Sequence, residues 1–132
     1  MDEKNVLVDA NLIVYLIGGH ANAADLLANR ALYFPFITEI EFLSFKKLSN
    51  REERTTHQIL GEGIIFQSDS AITSLATGIR LNYGLEVPDA IIAATSIRYN
   101  LPLVSVDSDL SNKGATVDTI FSLISIFRIN LS

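Results

Sequence analysis

Short apolar runs alternate with stretches whose apolar residues recur at helical spacing. Asn5-Val6-Leu7-Val8 predicts a first strand. Leu12 to Ile17 predicts a short helix stopped by Gly18-Gly19, and Asn22 to Arg30 a second helix with Ala24, Leu26, Leu27 and Ala31 on its apolar side. Tyr33-Phe34-Pro35-Phe36-Ile37, aromatic and β-branched, reads as the second strand. Thr38 opens a helix running to about Leu48, and Asn50 to Leu60 forms another with a charged start. Ile64-Ile65-Phe66 is the third strand, followed by a helix over Asp69 to Asn82 with Ile72, Leu75, Ala76 and Ile79 in register. Pro88 suits the first turn of a helix reaching Tyr99, whose Ala90-Ile91-Ile92-Ala93-Ala94 is apolar all round and therefore expected to be central and buried. Leu103-Val104-Ser105-Val106 is the fourth strand. The tail reads as a short helix near Asn112 to Asp118 and then a strand over Phe121 to Ile126, with a helix over Thr116 to Phe127 as the alternative.

Strands separated by helices are the pattern of an α/β fold: a central parallel sheet of four to five strands flanked by helices in three layers. At 132 residues the chain fits one domain spanning 1–132. A hydrophobic fraction of 48% and a mean hydropathy of +0.31 argue for a real core and against general disorder. No apolar run approaches the ~18 residues of a membrane span, and Met1-Asp2-Glu3-Lys4 does not open a secretory signal, so a cytoplasmic location without membrane contact is expected. The absence of cysteine removes disulfides, thiolate zinc sites and thiol nucleophiles. A net charge of −5 and a pI near 4.8 lack the usual footprint of a nucleic-acid binder.

Candidate chemistry gathers at strand ends. Asp9 ends the first strand, Asp107 and Asp109 follow the fourth, Glu41 lies in the first turn after the second strand, and Asp89 lies at the N-terminus of the apolar helix. Ligands of open α/β sheets bind at the carboxyl ends of the strands. Singly, each acid has an ordinary explanation. Asp9 fits a helix N-cap, Thr38-x-x-Glu41 fits a capping box, Asp89 complements a helix dipole, and Asp107-Ser108-Asp109 fits an acidic turn. Together at one edge, they repel one another unless a cation joins them, and an all-oxygen donor set favours Mg²⁺ or Mn²⁺.

The remaining polar residues add less. His20, after two glycines, and His57, among polar residues, are expected on the surface. Gly18-Gly19 lacks the spacing of a phosphate loop, and no serine sits in a nucleophile elbow. Lys46, Lys47, Arg51 and Arg54, with Arg98 further on, are readable as a solvated mixed-charge face or as a phosphate rim; Lys46, Lys47, Arg51 and Arg98 are the candidate phosphate contacts.

Val8-Asp9-Ala10-Asn11, Ile37-Thr38-Glu39-Ile40-Glu41, Pro88-Asp89-Ala90-Ile91-Ile92-Ala93-Ala94 and Leu103-Val104-Ser105-Val106-Asp107-Ser108-Asp109-Leu110 together resemble the PIN-domain ribonucleases, and most of all the small VapC-type toxins of toxin–antitoxin pairs. The resemblance spans essentially the whole chain in the family's order, and the Pro88 to Ala94 stretch is its most specific part. It implies that Asp9, Glu41, Asp89 and Asp107 are the catalytic, metal-holding acids, that Asp109 ligates through water or orients its neighbour, and that Asn11 and Thr38 support the site. Ala10 and Leu110 replace a commoner Thr and Phe without touching a carboxylate.

What the resemblance implies is an Mg²⁺- or Mn²⁺-dependent endoribonuclease producing 5′-phosphate and 3′-hydroxyl ends, an RNA substrate, a VapB-type antitoxin partner that fills the acidic pocket, and a homodimer. The alternative is a catalytically inactive PIN fold that binds RNA or protein, which would be expected to lose acids that are all present. A haloacid-dehalogenase-like phosphatase would need a second Asp where Asn11 stands, and a receiver domain a Lys at the end of the fourth strand. The five pocket acids account for the whole charge excess, because the other ten Asp and Glu balance ten Lys and Arg. The acidic total therefore does not exclude a nucleic-acid substrate.

Overall fold

A computed structural model describes residues 4–44, 47–106 and 126–129. Within them the chain runs β1 (Asn5–Val8), α1 (Ala10–Ile17), α2 (Ala21–Leu27), β2 (Ala31–Pro35), α3 (Phe36–Ser44), α4 (Asn50–Gly61), β3 (Ile64–Phe66), α5 (Ser70–Tyr83), α6 (Val87–Tyr99), β4 (Leu103–Val106) and β5 (Ile126–Ile129). The strands form one sheet in the order β3-β2-β1-β4-β5, and every pairing is parallel. Parallel neighbours require crossovers, and the helices between strands provide them.

Side chains alternate across a strand, so each strand feeds two cores. Leu7 and Leu103 face one side, where α5 and α6 pack on them through Ile72, Ala76, Ile79, Ala90, Ala93 and Ala94. Val6, Val8, Phe34 and Val104 face the other, under Leu12, Ile13, Leu27, Phe42 and Leu60 of α1 to α4. Both faces are covered, which is the three-layer α/β architecture expected from the alternation of elements. Helix α6, apolar throughout its 90–94 stretch, is central: Ala90 and Ile92 to Ser96 are buried. Its small side chains let the backbone approach the sheet. The rings of Tyr33 and Phe66, and of Phe66 and Tyr99, stack with centroids 5.4 and 3.8 Å apart and tie β2, β3 and α6 together.

Several local expectations are corrected. The second strand ends at Pro35, and α3 starts at Phe36 rather than at Thr38. Thr38 therefore lies inside the helix, fully buried, and forms no capping box with Glu41. Glu39, not Glu41, is the acid of the first turn. A capping box exists instead at α4, where the Ser49 hydroxyl accepts from the Glu52 N–H at 3.1 Å and the Ser49 N–H donates to Glu52 Oε1 at 3.0 Å. Ser49 ends an exposed connection, where a hydroxyl is free to turn onto the helix. Helix α3 is described as far as Ser44, and Lys47 and Leu48 are not helical, so it stops short of Leu48. Strand β5 begins where the predicted Phe121 to Ile126 strand ends, and the rest of that strand and the predicted 112–118 helix lie outside the described residues.

Candidate active site

Strand β1 has β2 on one side and β4 on the other, so chain crossovers leave it in opposite directions. That point is where open α/β sheets form their ligand crevice. Asp9 occupies it. Its N–H donates to the Val104 carbonyl at 3.1 Å, extending the β1–β4 ladder by one residue, and its carbonyl accepts from Leu12 N–H at 3.1 Å as α1 begins. The residue is 6% exposed. Its extended backbone (φ −81°, ψ 151°) suits an N-cap, yet its side chain makes no capping bond to α1. N-capping thus does not account for the carboxylate here.

Thr38 and Glu41 are three residues apart on α3 and share a face. The Thr38 hydroxyl points at the Val8 carbonyl, 3.5 Å away, one peptide before Asp9. Thr38 thereby seats α3 against the end of β1 and turns Glu41 toward Asp9. Glu41 and Asn11 line the same cavity of about 260 Å³ between α1 and α3, with Val14 and Phe42 behind them. Asp89 enters in the first turn of α6, with Pro88 before it.

Electrostatics reports the convergence. The Glu41 carboxyl is pushed above its ordinary value of 4.5, first by burial and then by the negative charges of Asp9 and Asp89. Asp9 and Asp89, from two other parts of the chain, therefore both act on Glu41 at one edge. Among the described residues, no three carboxylates or imidazoles are close enough to form a ready-made metal cage. Asp107 and Asp109, which follow the last residue of β4, lie outside the described residues, as does Lys46. The donor chemistry suits a hard divalent cation: only oxygens, a surplus of negative charge, and a carboxyl whose ionisation a cation would favour.

The basic candidates are elsewhere. Arg51 lines a separate hollow of about 580 Å³ with Gly18, Gly19, Ser49 and Thr55, at the far end of α1, roughly 12 Å of helix away from Asp9. Arg98 lies in the last turn of α6, nine residues beyond Asp89, with its guanidinium 5.3 Å from the Tyr99 ring centre. Lys47 is exposed in the connection after α3. His57 is exposed, 3.8 Å from Glu53, whereas His20 is half-buried, edge-on to Tyr15.

Sequence reasoning passed over a second hollow at the same sheet edge. It holds about 210 Å³ between α5 and α6, with Phe36 and Arg80 among its walls. Its residues come from four separate elements and loops, so no local motif marks them.

Comparison with known proteins agrees with this geometry. The PIN domain family model matches residues 6–115. Among solved structures, the chain is similar to one in a toxin–antitoxin complex from Klebsiella pneumoniae, at 28% identity and a TM-score of 0.68, over 76% of this chain and 84% of that one. It is similar in fold to VapBC2 from Rickettsia felis, solved with a DNA fragment from its promoter (19% identity, TM-score 0.69, 96% and 98% covered). FitAB bound to a DNA fragment gives 17% identity and a TM-score of 0.64, over 95% and 94% of the two chains. No curated protein sequence matches the chain. With the match spanning the strands, α3 and α6 that carry Asp9, Glu41 and Asp89, the chain belongs to the PIN domain family, whose members are generally nucleases.

Proposed function

We propose that the chain is a metal-dependent endoribonuclease of the VapC type, the toxin of a toxin–antitoxin pair. The observation that carries this reading is the placement of Asp9 at the end of β1, Glu41 on α3 and Asp89 in the first turn of α6 at the sheet's crevice, near enough for both aspartates to act on Glu41. The acids are placed at a cost: Glu41 is half-buried beside two like charges, an arrangement that structure alone does not require.

Asp9 and Asp89, with Asp107 directly after β4, would hold Mg²⁺ or Mn²⁺; Glu41 completes the set, and Asp109 acts through water. A bound cation supplies charge neutralisation at the phosphate and makes an attacking water more acidic. The chain's own residues do the rest. Asp9, anchored by the Val104 carbonyl, is rigidly placed. Asp89, on the first turn of the buried helix, or Asp107 orients the water for in-line attack on phosphorus. The P–O3′ bond breaks, leaving a 5′-phosphate and a 3′-hydroxyl. Asn11 and Thr38 position Asp9 and Glu41, and Lys46, Lys47, Arg51 and Arg98 contact phosphates farther along the strand.

An antitoxin of VapB type is the expected partner, since the solved relatives include toxin–antitoxin complexes. A basic segment of that partner would neutralise the acid cluster. The protein is expected to work in the cytoplasm as a homodimer; among the described residues no helix is long and apolar enough to cross a membrane.

The test is cleavage of RNA with and without Mg²⁺ by the parent, Asp9→Asn and Asp89→Asn, with folding followed by circular dichroism. Cleavage by the parent alone, dependent on the cation, is expected. Undiminished cleavage by both folded variants would overturn the site.

A further inference from the structure

The hollow between α5 and α6 is lined by residues on either side of Asp89 in the chain but has no part in the chemistry above. Phe36 directly follows the last residue of β2, Ser68 lies just beyond β3, and Val87, Ala90 and Ile91 flank Asp89 on α6. All three elements reach the hollow at the edge where Asp9 and Glu41 stand. The lining is largely apolar and includes Thr73, Thr77 and Arg80; the two threonine hydroxyls donate to the Asp69 and Thr73 carbonyls at 3.0 and 2.8 Å. Arg80 is held in place, donating through Nη1 to the Leu85 carbonyl at 3.1 Å. A guanidinium has five N–H donors, so this bond does not exhaust them, and Arg80 lines the hollow. Arg80 is also the one charged residue of α5.

We infer that this hollow receives one nucleobase of the RNA strand beside the cleaved bond, stacked on Phe36 and flanked by Arg80. The inference rests on the ribonuclease reading for the identity of the strand. Three physical points favour a base over a partner protein's side chain. At about 210 Å³ the space is below the roughly 300–1,000 Å³ of drug-sized pockets and suits one flat ring. An aromatic wall with a few fixed polar groups is how proteins hold a base without reading much sequence. The carboxylate cluster repels phosphates, so a strand held at this edge needs a neutral contact and a cation on its flank. Phe36 and Arg80 are those two groups.

The experiment places 2-aminopurine at successive positions of a short RNA and titrates the full-length protein with Ca²⁺ in place of Mg²⁺. One position is expected to lose fluorescence on binding. Thr77→Leu, which fills the hollow from its rim, and Phe36→Leu should each weaken binding about tenfold and abolish that position-specific change. Arg80→Gln should weaken binding and leave the stacking signal. Glu62→Gln, on the exposed end of α4, should change neither. The inference is overturned if no position responds, or if folded Thr77→Leu binds as the parent does. It is also overturned if Thr77→Leu alters only the sedimenting mass, which would make the hollow a protein contact. A parent that shows the position-specific signal but never cleaves RNA would refute the proposed function and leave the base site standing.

Discussion

Two glycine-to-alanine substitutions are expected to change stability in opposite directions. Gly63 lies between α4 and β3, where the chain passes directly over β2. A Cβ there would stand 2.5 Å from the Leu32 carbonyl oxygen and 3.1 Å from Phe34 Cδ2, and closer still to Phe34 Cε2. Leu32 is backbone paired with Val6 of β1, and the Phe34 ring is fully buried, so neither swings aside. Relief requires displacing β2 by several tenths of an ångström, which for overpacking costs about 1–3 kcal/mol. Gly78, in the middle of α5, has nothing within 4 Å of its would-be Cβ. Alanine there removes only unfolded-state freedom and is expected to stabilise by about 0.5–1 kcal/mol. The two variants should therefore differ by roughly 1.5–4 kcal/mol in urea unfolding at unchanged slope. Because β2 leads without a break into α3, Gly63→Ala should also disturb Glu41 and lower RNA cleavage, whereas Gly78→Ala should not. A Gly63→Ala protein as stable as the parent, or a Gly78→Ala protein clearly less stable, would refute the packing argument.

Other consequences follow from the acids and the caps. Asp89→Asn removes one of the like charges acting on Glu41, so the Glu41 carboxyl should titrate at lower pH by carbon NMR; an unchanged midpoint would separate the two residues. Because Glu41 binds its proton more tightly when folded, stability should fall as pH rises from 4.5 through its raised value, and Glu41→Gln should flatten that decline. Mg²⁺ at a hundredfold its dissociation constant should add about 2.7 kcal/mol, reversed by chelation and absent in Asp9→Asn; a thermal midpoint indifferent to the cation in the parent would argue against the metal site. Ser49→Ala breaks the capping box of α4 and should cost about 1 kcal/mol, read from the urea midpoint.

The order of elements and the parallel sheet were legible in the sequence because each strand is a short apolar run and each crossover shows helical spacing. The all-apolar stretch 90–94 announced the central helix for the same reason: a helix with no polar face has to be enclosed. The site was half legible. Asp9, Glu41 and Asp89 were marked by strand ends and family motifs, yet Thr38-x-x-Glu41 carries two meanings at the same spacing. A capping box and a shared helix face both need residues three apart. Only the start of α3 at Phe36 decides between them, by burying Thr38 against the Val8 carbonyl.

Sequence alone thus determined which residues alternate, which helix is enclosed and which acids end strands, all properties of neighbours along the chain. Tertiary structure decided that Asp9 and Asp89 both act on Glu41, that Arg51 stands at the far end of α1 and Arg98 at the far end of α6, and that Phe36 and Arg80 line one hollow. Those are distances between residues far apart in the chain, set by sheet order and helix packing, and no local pattern encodes them.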